Sequence, residues 1–491
     1  MSFLKTYQHG LGASTLLFTS FILLALKFNS DLLMVLSAIG MCLLGIIIYL
    51  FKAEKIIYKV LLFSLLFSLE IPLLASSKLS FPDELLIVLL SIVSTVHLIW
   101  NEQFMKYIFS TSLSKIILLH AFVYIVSSFF SSMPIVSAKF SFINILYMIC
   151  GVVTTVYLLQ NKKLNFKSLV HFFTIPLFFI CLYTIVHFAP SNFSSQASIT
   201  MAQPFFKDHT LLSACLSLFV PLYIFYPFIY PKTALSLKIG AFTMASLLLF
   251  IIFISSSRAA WLSLVLGICF YIFILFRGNF KGFLSLLGLT ILLSIAFSGN
   301  ILDRLNLNSN SSGSEYASLG EQFLSSSNIH NDVSNLERLN RWKCAIRMAK
   351  DHPIIGFGPG TYQFEYLPYQ LEKDKTPISV NNPFNTKQGY GGSAHSEYFL
   401  VLSEMGILGL FTWVFLLLIT IYSYFKIRES KIISLKNKLI SDAIVLSLIT
   451  FFGHSLFNNF LNTAKTAIPF WILIGFLLYL TLKLKHHEKG Y

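Results

Sequence analysis

Apolar residues in this chain neither alternate nor keep to one stripe of short helices. They gather into continuous runs of roughly twenty, each long enough to cross about 30 Å of hydrocarbon as a helix. The runs cover residues 11–27, 32–51, 57–76, 84–100, 114–131, 140–159, 167–188, 210–230, 237–255, 259–276, 282–299, 397–424, 439–457 and 465–483. They predict about fourteen membrane helices, to within two. Between 300 and 396 the pattern gives way to polar sequence. The expected fold is therefore an all-α integral membrane bundle of about 12–14 helices, with a large loop holding short helices. It divides into 1–206, 207–299, the loop at 300–396, and 397–491. The first run lacks a small-residue cleavage site, so it is expected to remain a helix.

Composition agrees, with 56% hydrophobic and 12% charged residues and a mean hydropathy of +0.74. The net charge of +15 reports orientation, because the basic residues cluster in alternate loops. Lys52, Lys55 and Lys59 share one loop, and Lys162, Lys163 and Lys167 another. Lys232 and Lys238, Arg277 and Lys281, Lys426 to Lys438, and Lys483 to Lys489 follow. With an even number of spans, these loops and both termini lie in the cytoplasm. The weakly charged loops at 29–31, 77–84 and 189–206 face outward, as does 300–396. No basic patch interleaved with aromatics argues for nucleic acid. The six cysteines form no disulfide framework or CxxC site, since only Cys344 lies in the outward loop.

That loop divides in two. Residues 306–331, rich in Ser and Asn, read as a mobile surface segment. Ser334-Asn335-Leu336-Glu337 then matches a capping box and predicts a helix start. Leu336, Leu339, Trp342, Ala345, Ile346 and Ala349 form an apolar stripe at helical spacing, with Arg338, Arg341, Lys343, Arg347 and Lys350 on the remaining face. The helix is expected to lie on the membrane or on the bundle. Asp351-His352-Pro353 ends it, and Gly356-Phe357-Gly358-Pro359-Gly360 predicts a tight turn where backbone approaches a neighbour closely.

Three ordered motifs lie here: Arg338-Leu-Asn-Arg-Trp342 leading to Met348 through Gly360, Ala394-His395-Ser-Glu-Tyr-Phe-Leu400, and Glu404-Met-Gly-Ile-Leu-Gly409. Together they resemble the O-antigen ligase and polymerase superfamily of bacterial envelope enzymes, over roughly Lys207 to the last helices. Ser255-Ser-Ser-Arg258-Ala-Ala-Trp261 resembles the family's arginine at the outer end of a helix before the large loop. The resemblance implies transfer of a glycan from an undecaprenyl diphosphate donor to an acceptor sugar, by metal-independent inverting chemistry on the periplasmic face of the bacterial inner membrane. It implies no cofactor. The acceptor would be lipid A-core or another envelope glycan. A polymerase taking a second lipid-linked repeat unit, and a protein O-oligosaccharyltransferase, share the donor and remain open, while a polysaccharide flippase would not need a large loop carrying convergent Arg and His.

The residues make chemical sense on that reading. A diphosphate leaving group gathers negative charge as the glycosidic bond breaks. The chain has no Asp-x-Asp pair to hold a metal for it, so arginines are the better candidates. Arg258 and Arg338 lead, with Arg341 one turn further on. Otherwise Arg258 is a helix-end anchor and Arg341 a solvated charge. His395 is the candidate for proton transfer or diphosphate contact, and with Arg338 forms the catalytic pair; the alternative is a structural histidine. Tyr398 and Glu404 support it from the following helix, Glu404 read as structural and pairing with a loop arginine. Asp208 and His209 form a polar helix start facing the donor, although Asp208 can equally cap that helix.

Overall fold

The computed structural model describes residues 40–41, 43–45, 48–50, 52–72, 78–193, 197–296, 333–374 and 392–488. The expected helix at 11–27, the loop at 29–31 and the segment 306–331 fall outside these, and 32–51 is helical wherever it is described. The chain forms α1 (Glu54–Ser64), a hairpin of β1 (Leu69–Pro72) and β2 (Lys78–Phe81), α2 (Asp83–Trp100), α3 (Glu102–Ile108) and α4 (Ser112–Phe129). Next come α5 (Pro134–Met148), α6 (Thr154–Gln160), α7 (Phe166–Phe188), α8 (His209–Ile229), α9 (Leu235–Ile254), α10 (Arg258–Leu275) and α11 (Phe280–Ala296). The loop supplies α12 (Val333–Asp351) and α13 (Tyr362–Glu365), and α14 (Glu397–Glu429), α15 (Leu435–His454) and α16 (Ala464–Glu488) complete the bundle. Among the described residues nine helical stretches are long and apolar enough to cross a membrane.

Successive long helices reverse direction, so their ends sort into two faces. At one face the Lys163 ammonium pairs with Glu54, Lys59 lies 5.0 Å from the Phe172 ring, and Lys436 lies 4.5 Å from the Tyr230 ring. The basic loops thus share one end of the bundle, as their charge pattern requires. At the other end meet the first turns of α8, α10, α14 and α16. Here Ser213 and Ser255 hydroxyls are 2.7 Å apart, and the Glu397 amide donates to the Ser455 carbonyl at 2.9 Å.

Helices pack through small and polar residues, as expected where the surroundings are no less apolar than the side chains. Tyr58 and Thr155 hydroxyls meet at 2.7 Å, and His120 Nδ1 meets the Thr412 hydroxyl at 2.7 Å. Ile149–Val153 forms one π-helical turn joining α5 to α6. It lies where α16 crosses: a Cβ on Gly151 would come within 2.3 Å of Trp471 Cβ, so only glycine permits that approach.

The apolar run at 57–76 is not one helix. Helix α1 stops at Ser64, and the chain turns into the antiparallel hairpin, with Leu69 opposite Phe81 and Glu70 opposite Ser80. Lys465 supplies the reason. Its buried ammonium donates to the carbonyls of Leu66, Ser68 and Phe205, of which Ser68 is 2.8 Å away. A continuing helix would have kept the first two for its own ladder.

The loop helix α12 also departs from its expected orientation. It is already helical at Val333, so Ser334 lies inside it, and the Glu337 carboxylate accepts from Arg341 Nε at 3.0 Å. Its buried side chains are Glu337, Asn340, Arg341, Cys344, Ala345, Met348 and Ala349, while Ile346 is exposed. The face that looks polar in sequence is turned inward because the loop folds back on it: Ala345 and Met348 join Phe357, Tyr362, Tyr366, Ala394 and Leu400 in a small separate core. Trp342 stacks on Phe399 of α14 at 5.1 Å, which seats the helix on the bundle.

Candidate active site

Helix α14 is broken at Gly406, whose φ of 62° and ψ of −160° no helix contains. The glycine turn after α12 docks into the break. Phe357 and Gly358 amides donate to the carbonyls of Ser403 and Glu404 at 3.1 and 2.8 Å, and the Ile407 and Leu408 amides donate back to Pro353 and Ile354 at 2.8 and 3.3 Å. The Glu404 carboxylate completes the join by accepting from the Gly360 amide at 2.8 Å and the Tyr362 amide at 3.0 Å. The partners of the Glu404 carboxylate are thus loop amides and not the loop arginine expected for it. The turn is tied on its other side to the α4–α5 connection, where the Ser132 amide donates to the Phe357 carbonyl at 2.9 Å.

This join holds one wall of a cavity of about 420 Å³ at the end of the bundle opposite the basic loops. Lys207 and Asp208 enter it from the start of α8, Arg338 from α12, Tyr362 from the glycine turn and His395 from the start of α14. The segment 458–463 between α15 and α16 closes the far side. The size is within the ~300–1,000 Å³ of small-ligand sites.

His395 is held in the left-handed region, with φ 51°. A non-glycine residue there is uncommon and is maintained by its surroundings. Here Trp342 Nε1 donates to the His395 carbonyl at 3.3 Å and the His395 amide donates to Ser393 Oγ at 3.4 Å. Burial, and then the Arg338 and Arg341 guanidiniums, push its imidazole down from the ordinary 6.5 to about 3. The site thus presents a neutral ring able to accept a proton. Because the shift is downward, the basic form persists as pH falls through 6.5. The kcat/KM of a reaction that uses this ring as its base is therefore expected to hold down to about pH 5 before any acid limb due to this residue. A limb centred near 6.5 in the wild type, absent from His395→Ala, would contradict that placement.

Asp208 lines the cavity and also caps α8, its carboxylate accepting from the Thr210 and Leu211 amides at 2.9 Å each. The cations Lys207 and Arg338 thus face the cavity beside two carboxylates, Asp208 and Glu404, both held by backbone amides. Arg341 does not share that position. Buried, it pairs with Glu337 and lies 4.6 Å from the Tyr366 ring centre, so the two arginines expected to face alike diverge. Arg258 opens α10 at the same end of the bundle but is not part of the cavity wall. His209 is likewise outside the wall, and its Nδ1 is buried without a hydrogen-bond partner. Tyr398 joins α14 to α15 by donating to the Phe452 carbonyl at 3.3 Å.

Sequence reasoning missed Lys207 as a site residue and missed Asn458, Asn459 and Asn462 altogether. The available signal was three asparagines within five residues, between two apolar runs, on a side where outward loops are otherwise short.

Residues 243–414 match the family model described as O-antigen ligase. The match contains Arg258, Arg338, the glycine turn, His395, Glu404 and Gly406, whereas Lys207, Asp208 and 458–463 lie outside it. No curated protein matches the chain.

Proposed function

We propose that this chain, a member of the O-antigen ligase superfamily, is a membrane glycosyltransferase that moves a glycan from undecaprenyl diphosphate to lipid A-core at the periplasmic face of the bacterial inner membrane. The observation that carries this reading is the sharing of one cavity by the Arg338 cation and the neutral, backbone-strained His395, at the end of the bundle away from the basic loops. An acceptor hydroxyl attacks the anomeric carbon from the side opposite the diphosphate. The new glycosidic bond forms as the carbon–oxygen bond to the diphosphate breaks, and the bonding pair leaves with the diphosphate. Its charge develops against Arg338 and Lys207, which take the part that a divalent ion plays in other transferases. The hydroxyl proton passes to His395. The bound anion offsets the guanidinium field that adds to burial in keeping the ring neutral, so His395 becomes more basic once the donor is seated. The outcome is inversion at the anomeric carbon.

The test is reconstitution of the purified protein in lipid discs with an undecaprenyl diphosphate-linked glycan and lipid A-core. Glycosylated core and free undecaprenyl diphosphate are expected in equal amounts, with chelator present or absent. A lengthened lipid-linked polymer would make the enzyme a polymerase, and release of neither product would overturn the reading.

A further inference from the structure

Two chemically different sets of side chains line the cavity: Arg338, Lys207 and His395, and, from the connection between α15 and α16, Asn458, Asn459 and Asn462. Asn458 is only 4% exposed, lines the cavity, and its Nδ2 is buried with no hydrogen-bond partner. An orphaned amide donor in a folded interior costs free energy unless something outside the chain satisfies it. Asn459 is 6% exposed, and the Ser393 hydroxyl donates to its Oδ1 at 2.6 Å, so its carbonyl is committed and its NH₂ group remains to be offered. That bond also ties the amide wall to the backbone of His395, whose amide donates to the same Ser393 oxygen at 3.4 Å. Phe460 adds an apolar ring to the wall.

We infer that this amide wall binds the sugar directly attached to the diphosphate of the donor, with Asn458 donating to an oxygen of that ring. Neutral amides beside an aromatic face suit a polyhydroxylated, uncharged ring, whereas a second phosphate would call for cations. The placement is consistent with the reaction geometry: the sugar next to the diphosphate is the one whose anomeric carbon must stand between the leaving group on Arg338 and the base His395. Holding that ring fixes the angle of attack, which is a positioning role. The inference rests on the function proposed above, but it makes a separate demand, that recognition depend on the sugar.

The experiment compares binding of two ligands to the full-length protein in lipid discs: undecaprenyl diphosphate carrying its glycan, and undecaprenyl diphosphate alone. Asn458→Ala is expected to weaken binding of the glycosylated donor by roughly 10- to 100-fold while leaving the bare diphosphate unaffected. Asn458→Leu, which keeps roughly the volume and removes the donor without adding charge, is expected to do the same, and thermal unfolding of both variants reports whether the fold is intact. Equal weakening of both ligands, or none for either, overturns the sugar-binding assignment. Arg338→Ala separates the two claims, because it must weaken both ligands if the diphosphate lies where the function requires. If it weakens neither, the proposed function fails, whatever Asn458 does.

Discussion

Arg338→Ala is expected to lower glycan transfer by roughly 10²- to 10³-fold, the size of effect seen when a preorganised group facing developing charge is removed. The residue lines the cavity, and its charge is felt at His395. On the proposed mechanism it holds the diphosphate in the ground state; as the glycosidic bond breaks, negative charge grows on the bridging oxygen and the attraction strengthens, so kcat falls along with affinity. Arg338→Lys is expected to restore only part of the rate, because an ammonium keeps the charge and loses the planar, two-pronged grip on phosphate. Arg341→Ala is the informative contrast. Removing it leaves Glu337 buried without its 3.0 Å partner, so it should destabilise the loop by about 3–5 kcal/mol. Transfer by the fraction that stays folded should persist. Single-turnover rates normalised to folded protein distinguish the two. If Arg341→Ala removes the chemistry and Arg338→Ala only the fold, the assignment is reversed.

That contrast marks how far the sequence could be read. The long runs from α2 onward were legible to within about six residues at each end, since a membrane span leaves little freedom in hydropathy. The run at 57–76 was not, because a hairpin tied to Lys465 is as apolar as the helix it replaces, and the tie comes from a residue about 400 positions away. Loop helix α12 shows the opposite failure. Its charge pattern marked Arg341 as solvated, yet Glu337 and the ring of Tyr366 let the guanidinium turn inward.

The site itself was half legible. Motifs brought Arg338 and His395 forward, and both line the cavity. They also put Arg258 in the lead and Arg341 behind it, and those two do not line it, because spacing along a helix does not say which neighbour the loop folds against. The strain at His395 was invisible, since a positive φ on a histidine is imposed by Trp342 and Ser393 and not by its own side chain. The amide wall was invisible because single asparagines carry no periodic signal.

The glycine turn was expected to approach a neighbour closely, and the second large effect tests the partner it found. Gly406→Ala is expected to undock the turn and abolish transfer. Alanine at φ 62° costs about 1–2 kcal/mol by itself. The steric clash is worse: the new Cβ would stand 2.4 Å from the Ile354 carbonyl carbon, which is backbone and has nowhere to rotate. Gly356, from the other side, would place a Cβ 2.3 Å from the Glu404 carbonyl carbon, so neither strand of the join can yield to the other. Separation breaks the four backbone hydrogen bonds and the two to the Glu404 carboxylate, at roughly 1 kcal/mol net each. With Glu404 released, Tyr362 leaves the cavity wall and the core of Met348, Phe357 and Leu400 loses its anchor. The measurement is hydrogen exchange of the amides from Phe357 to Tyr362, read beside activity. Protection should collapse in Gly406→Ala and stay unchanged in Gly240→Ala, where a Cβ on a helix of the same bundle meets nothing within 4 Å. Wild-type protection in Gly406→Ala would mean that the join is not what shapes the cavity, and that the position of His395 is set by Trp342 and Ser393 alone.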